Sequence, residues 1–287
     1  MKYIDITYRY GADDSPPRER PVTAAAAKHR LDTGNRDFAA LLADLDGRSG
    51  TARRVIRVDP SELGILPSGV AVPAQKPYAA ILGCADARVP IELVFNEGPN
   101  DLFVVRVAGN TLGDDVRGSL NYALEHLGGS LRLIVVLGHS ACGAVSAAVD
   151  VFLDPAAYLS LAPKHTVRAL VDRLLVVVHA CARRMEEALG ADVVRQSGYR
   201  EALIETSVVT NAALAAHTLQ RETGGGMADG VRATYGVYVL SDRTIWAPRY
   251  GGDEVIGLAA PPVNQQEFIN FCAAVIRSQR ITALLTT

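Results

Sequence analysis

The sequence predicts an α/β fold: a central, mostly parallel β-sheet flanked by helices on both faces, with an N-terminal arm and a helical insertion. Three observations predict it. AAILG at 79–83 is a short apolar run that suits a strand buried on both faces, DLFVVRV at 101–107 is a second strand rich in β-branched and aromatic residues, and LRLIVVLG at 131–138 is a third. Helical patterns separate and follow them, and strands alternating with helices imply parallel pairing with a helix on either side. Of the 287 residues, 49% are hydrophobic and 21% charged, a globular composition that excludes a disordered chain.

Taken in order, residues 1–24 read as an arm, because DDSPPRERP at 13–21 cannot continue a helix or a central strand. Residues 25–287 read as a single domain with a helical insertion at about 150–200. From Val22 to about Leu45 the pattern is helical, with Phe38, Leu41, Leu42 and Leu45 at helical spacing. DPSELGILPSG at 59–69 is punctuated like a loop. After the first strand, Pro90 opens a helix that Gly98 and Pro99 end. Asp114 or Asp115 is expected to cap a helix through Leu120, Leu124 and Leu127, and Ser140 to cap the one after the third strand. The chain from 150 to about 225 is helical and closed by three glycines at 224–226. A further strand follows at 231–240, and a terminal helix runs from Gln265 to about Leu285.

Charge and hydropathy exclude several partners. Lys+Arg 29 against Asp+Glu 31 is too balanced for a nucleic-acid protein. The apolar runs fall short of the roughly 20 residues that span a bilayer, and the first 21 residues have no signal-peptide core. The expectation is a cytoplasmic protein, where thiols stay reduced. Four cysteines are too few for a disulfide scaffold, so each thiol is a candidate for metal or catalytic duty.

In a parallel α/β sheet, ligands gather beyond the carboxyl ends of the strands. Cys84 follows the first strand directly, His139 follows the third, and Cys142 lies three residues later. Two thiolates and an imidazole form a catalytic zinc set with one position open, and soft sulfur favours zinc over magnesium or calcium. Asp86 is placed to accept a hydrogen bond from a bound hydroxide, and Arg88 to hold Asp86 in a charge-assisted pair. A lone His-x-x-Cys, or a lone Cys-x-Asp-x-Arg, is more often a packed thiol or a loop salt bridge. Joined at two strand ends 55 residues apart, they are improbable as packing accidents. Cys181 and Cys272 lie in apolar helical stretches and read as packed thiols. His126, His165 and His217 have no motif around them, and His179 and Cys181 diverge on a helix.

GCADARVPIELVFNEGPNDLFVVRVAGN at 83–110 and SLNYALEHLGGSLRLIVVLGHSACGAV at 119–145 resemble the two signatures of the β-class carbonic anhydrases. RLDTGNRDFAALL at 30–42 is similar to that family's entry helix, and YGVYVLSDRTI at 235–245 to its last core strand. The resemblance implies reversible hydration of carbon dioxide to bicarbonate and a proton. It implies one Zn²⁺ per subunit on Cys84, His139 and Cys142, with Asp86 and Arg88 as the hydroxide-orienting dyad. It also makes Gln75 a hydrogen-bond donor to bicarbonate, Phe103, Ala108 and Tyr122 the lining of a narrow apolar pocket, and Gly109 with Asn110 its adjoining loop. A homodimer or higher homo-oligomer, with pocket residues shared across the interface, is implied too.

Some positions depart from the family pattern. Ala87 stands where many members carry serine, Asn121 where glutamate is frequent, and Ile81 where the bicarbonate-inhibited subgroup has tryptophan. The expectation is therefore an open site with Asp86 paired to Arg88. Two alternatives share the sequence: a hydrolase of carbonyl sulfide or carbon disulfide on the same residues, and a non-catalytic zinc scaffold using the arm or the insertion to dock a partner.

Overall fold

Strand residues buried on both faces build the centre of the molecule. The structure is a computed structural model and describes residues 3–10, 19–47, 51–59, 63, 72–161, 165–223, 230–248 and 254–286. The chain runs β1 (Tyr3–Tyr10), α1 (Ala24–Gly47), β2 (Thr51–Val58), β3 (Ala79–Gly83), α2 (Ile91–Val94), β4 (Leu102–Arg106), α3 (Asp114–Leu127), β5 (Leu133–His139) and α4 (Gly143–Leu153). It continues through α5 (Ala157–Leu161), α6 (His165–Leu189), α7 (Tyr199–Thr223), β6 (Arg232–Tyr238), β7 (Ile245–Pro248), β8 (Glu254–Ile256), α8 (Gln265–Arg277) and α9 (Gln279–Leu285).

The main sheet has six strands in the order β4-β3-β5-β6-β7-β8. β4, β3, β5 and β6 are parallel, and β7 and β8 add antiparallel pairs at one edge. Alternation along each strand divides the core. Ala80, Leu82, Ile134 and Val136 point into a large cluster with α3, α4, α6 and α7, whereas Ala79, Ile81, Leu133 and Val135 point to a smaller one with α1 and α2. Residues 150–200 belong to the larger cluster: Val171, Leu174, Val178, Cys181 and Met185 of α6 are all buried in it. The chain leaves β3 for β4 on one side and returns to β5 on the other, so the strand order reverses at β3 and leaves a crevice at the carboxyl ends of β3 and β5.

Several local expectations are corrected. Gly113, not Asp114 or Asp115, is the N-cap of α3, and both acids sit in the first turn, where they still complement the helix dipole. Cys142 rather than Ser140 caps α4, because the Ser140 hydroxyl accepts the Leu240 N–H at 2.9 Å. The helix after Pro90 is a single turn that ends well before Gly98. The terminal helix breaks at Ser278, whose extended backbone and Oγ cap α9 through the Ile281 N–H. The arm is not uniformly irregular: Tyr3–Tyr10 pairs in parallel with Thr51–Val58, a two-stranded sheet that the sequence reading did not contain. Most of the proline-rich stretch at 13–21, the 59–69 loop and the glycines at 224–226 lie outside the described residues.

Candidate metal centre

Each member of the cluster is set by a strand end. Cys84 follows β3, His139 is the last residue of β5, and Cys142 begins α4. Among the described residues these three form a group of metal-capable side chains whose ligand atoms lie within 4.8 Å of one another, all buried. The two sulfurs are 3.9 Å apart. Tetrahedral zinc with sulfur at about 2.3 Å places two thiolates about 3.8 Å from each other, so the spacing fits the ion. His139 Nδ1 lies 3.0 Å from the Ser140 carbonyl. A carbonyl only accepts, so Nδ1 carries the proton and Nε2 presents a lone pair. Nε2 is buried and has no hydrogen-bond partner, an orphan that a cation would satisfy.

The thiols have an electrostatic reason to accept a metal. Hydrogen bonding from Cys142 holds the Cys84 thiol well below the usual range, with smaller help from His139 and backbone amides. The same contact, with burial, pushes Cys142 up. A divalent ion beside both sulfurs would let them ionise together. The Gly109 N–H donates to Cys84 Sγ at 3.3 Å, and Gly109 holds φ +67°, a left-handed conformation that suits glycine.

Asp86 lies beside the cluster, with Oδ2 3.7 Å from His139 Nε2. Arg88 clamps both its oxygens: Nε donates to Oδ1 at 3.0 Å and Nη2 to Oδ2 at 2.7 Å, while the Arg88 amide adds a 2.9 Å bond to Oδ1. These bonds hold the Asp86 carboxyl well below the ordinary carboxylate range.

Other residues support this site that sequence reasoning missed. Arg106 donates to the carbonyls of Cys84 and Asp86, fixing the strand-end loop. Asn211 on α7 donates to the Gly109 carbonyl at 3.0 Å. Glu205, also on α7, accepts the Ala141 N–H at 2.7 Å, and its other oxygen takes Arg280 Nη2 at 2.8 Å. Ala141 sits between His139 and Cys142 with φ +52°, unfavourable for a residue with a Cβ, and its carbonyl accepts from Arg88. Glu205 thus braces the turn that carries Cys142, and the Ala141 carbonyl of that turn accepts from Arg88, which clamps Asp86.

The proposed pocket residues divide. Ala108 and Gly109 adjoin Cys84. Phe103, on the edge strand β4, pairs with Ala80 part-way along β3 and packs toward the larger core cluster. Gln75 is exposed and precedes β3, at the opposite end of that strand from Cys84. Tyr122 is 47% exposed on α3 and stacks with His126 at 4.7 Å between ring centroids. Within one chain the cluster gathers Ala108 and Gly109 but not Gln75, Phe103 or Tyr122. Cys181 is fully buried, which pushes its thiol up to about 12, and His217 bonds the Pro262 carbonyl at 2.8 Å.

Residues 79–223 match the family model described as carbonic anhydrase. Carbonic anhydrase 2 of Mycobacterium tuberculosis is 46% identical over 100 residues, covering 35% of this chain and 45% of that protein. Carbonic anhydrase of Mycolicibacterium smegmatis is 44% identical over 101 residues, covering 35% and 46%. The chain thus spans about half the length of the curated relatives it matches. A structure from the tetrameric beta-carbonic anhydrases of the ascomycete Sordaria macrospora superposes at a TM-score of 0.47 with 19% identity, over 65% of this chain and 84% of that one.

Proposed function

The chain belongs to the β-class carbonic anhydrases, and on that premise we propose that it catalyses the reversible hydration of carbon dioxide to bicarbonate at a zinc ion held by Cys84, His139 and Cys142. The observation that carries the reading is the buried trio itself: two sulfurs at 3.9 Å and an orphaned imidazole nitrogen, set beside a clamped carboxylate.

Zinc, when bound, supplies a Lewis acid that makes water nucleophilic near neutral pH. Asp86 accepts a hydrogen bond from the attacking oxygen and turns its lone pair toward the carbon. Because Arg88 keeps the Asp86 carboxyl ionised, Asp86 orients that oxygen and does not keep its proton. Arg88 would also keep the carboxylate from joining Cys84, His139 and Cys142 in holding the ion. Ala108 and Gly109 offer an apolar wall, suited to a substrate without charge. Bicarbonate is the product, and one proton leaves per turnover.

The site is read as completed by a second subunit. β3 is five residues long, about 16 Å at about 3.3 Å per residue, which separates Gln75 from Cys84 of the same chain. Gln75 and Tyr122 are exposed and available to the cluster of a partner in a homodimer. Thiol ligands need a reducing compartment, which favours the cytoplasm; among the described residues no helix is long and apolar enough to cross a membrane.

Zinc content and stopped-flow CO₂ hydration of Asp86→Asn and Arg88→Ala test the assignment. Both variants are expected to keep zinc and to lose turnover by about 10²-fold or more, the range of a lost positioning group. Full turnover in either would refute the dyad. Mixing Gln75→Ala chains with Cys142→Ala chains tests the shared site. In the mixed dimer one of its two sites has both an intact cluster and an intact Gln75, so recovered activity supports sharing and none refutes it.

A further inference from the structure

The sheet of β1 and β2 lies apart from the metal centre, and two strands alone are marginally stable. β2 is anchored, with Ile56 and Val58 buried, but β1 is mostly exposed, including Tyr3, Ile4 and Tyr10. Among the described residues no other strand pairs with β1. An open, aromatic and β-branched edge is a template for another strand.

The charges on this sheet are only half balanced. Its register sets Asp5 opposite Arg53 and Arg9 opposite Arg57. The first couple is an ion pair at 3.5 Å; the second sets two arginines side by side, which is unfavourable in a sheet. Among the described residues no carboxylate forms an ion pair with Arg9 or Arg57, and an anion on the solvent face of β1 would relieve their repulsion.

We propose that a second copy of this chain covers this edge, with β1 running antiparallel to the partner's β1 about a two-fold axis through Thr7. Faces alternate along the strand: Ile4, Ile6, Tyr8 and Tyr10 share one, and Asp5, Thr7 and Arg9 the other. A symmetric pairing that keeps like faces together must be centred on a residue. Centring on Asp5 or Arg9 stacks like charges, and centring on Ile6 or Tyr8 leaves both charges opposite neutral residues. Centring on Thr7 sets Asp5 opposite the partner's Arg9 and Arg9 opposite the partner's Asp5, and matches Ile6 with the partner's Tyr8 and Ile4 with the partner's Tyr10. The partner's Asp5 then sets an anion beside Arg9 and Arg57. Such a contact is isologous: the same strand of each copy meets its counterpart. It is independent of the zinc chemistry.

Thr7→Cys in the full chain tests the geometry. Residues directly opposite in an antiparallel pair have Cα atoms about 4.5–5.5 Å apart, within disulfide reach, so mild oxidation should give a reducible covalent dimer. Wild type and Thr51→Cys, whose residue lies on β2, should not. Asp5→Arg alone and Arg9→Asp alone should weaken the self-association measured by sedimentation by about tenfold, from two lost pairs and two new repulsions. The double variant Asp5→Arg/Arg9→Asp should restore it, because the pairing reappears with the charges exchanged. No crosslink at residue 7, or single reversals that leave self-association unchanged while the melting temperature shows a folded chain, would overturn the proposal.

Discussion

Replacing Glu205 with alanine removes the carboxylate that braces the turn from His139 to Cys142. Its side chain is about 10% exposed and bridges the Ala141 N–H at 2.7 Å and Arg280 at 2.8 Å. A hydrogen bond to a charged group contributes about 1.5–3 kcal/mol. Two opposing effects set the total. Arg280, about a quarter exposed, recovers part of its hydration, and a cavity of about 760 Å³ that reaches Ser140 and Ala141 lets water replace one acceptor. Against this, Ala141 loses the bond that holds it in a conformation unfavourable by about 1–2 kcal/mol. The expected loss of folding stability is about 2–3 kcal/mol in a urea titration. Because the slackened turn carries Cys142, zinc affinity measured by chelator competition should fall by about 10- to 100-fold, as for other residues that orient ligands. Glu205→Gln, which keeps an acceptor for Ala141 but not the ion pair, should fall between. A Glu205→Ala protein within 0.5 kcal/mol of wild type, binding zinc as tightly, would refute this reasoning.

Three more outcomes are expected. Alanine at Cys84, His139 or Cys142 should abolish stoichiometric zinc and CO₂ turnover together, read by metal analysis and stopped-flow on the same samples. Gly109→Ala should lower stability by about 1–3 kcal/mol, because φ is +67° and the new Cβ would stand 3.0 Å from Leu174 Cδ1 and 3.2 Å from Ala144 Cβ; an unchanged melting temperature would contradict it. Asp86 is held below its unfolded pKa, so the unfolded chain binds more protons as pH falls. The stability from its pair with Arg88 is complete above about pH 5 and is lost as pH falls through the carboxylate range. The stability gap between wild type and Arg88→Ala should therefore narrow from about pH 6 to about pH 3, and a constant gap would be against it.

What the sequence made legible follows from where information is local. β3 and β5 are apolar and buried along their whole length and β4 is an apolar, half-buried edge strand, so their runs announce themselves, and reading the strand ends as a gathering point puts Cys84, His139 and Cys142 in one place, where the structure also has them. The caps were legible only to within a residue or two, since Asp114 lies one position inside its helix and the Ser140 hydroxyl accepts from Leu240 instead. The break at Ser278 does carry a local signal, a capping serine inside an apolar pattern, and the helical periodicity on either side outweighed it. β1 and β2 were missed because Tyr3 pairs with Thr51, a contact no window of sequence contains, and because charges and prolines surround both segments. Glu205 and Arg280 were invisible for the same reason: one acid and one arginine 75 residues apart acquire meaning only when α7 and α9 pack together over Ala141. Gln75, Phe103 and Tyr122 came from family resemblance, and a single chain holds them away from its own cluster.

The central claim is that the buried sulfur–imidazole trio with its clamped carboxylate is a working hydration site. The most direct measurement is zinc content together with the CO₂ hydration rate of the purified wild-type chain between about pH 6 and 9, the interval in which a zinc-activated water ionises. The account expects one zinc per chain and turnover that rises with pH and vanishes with the metal. A chain that binds stoichiometric zinc yet leaves CO₂ hydration at the uncatalysed rate throughout that interval would contradict it.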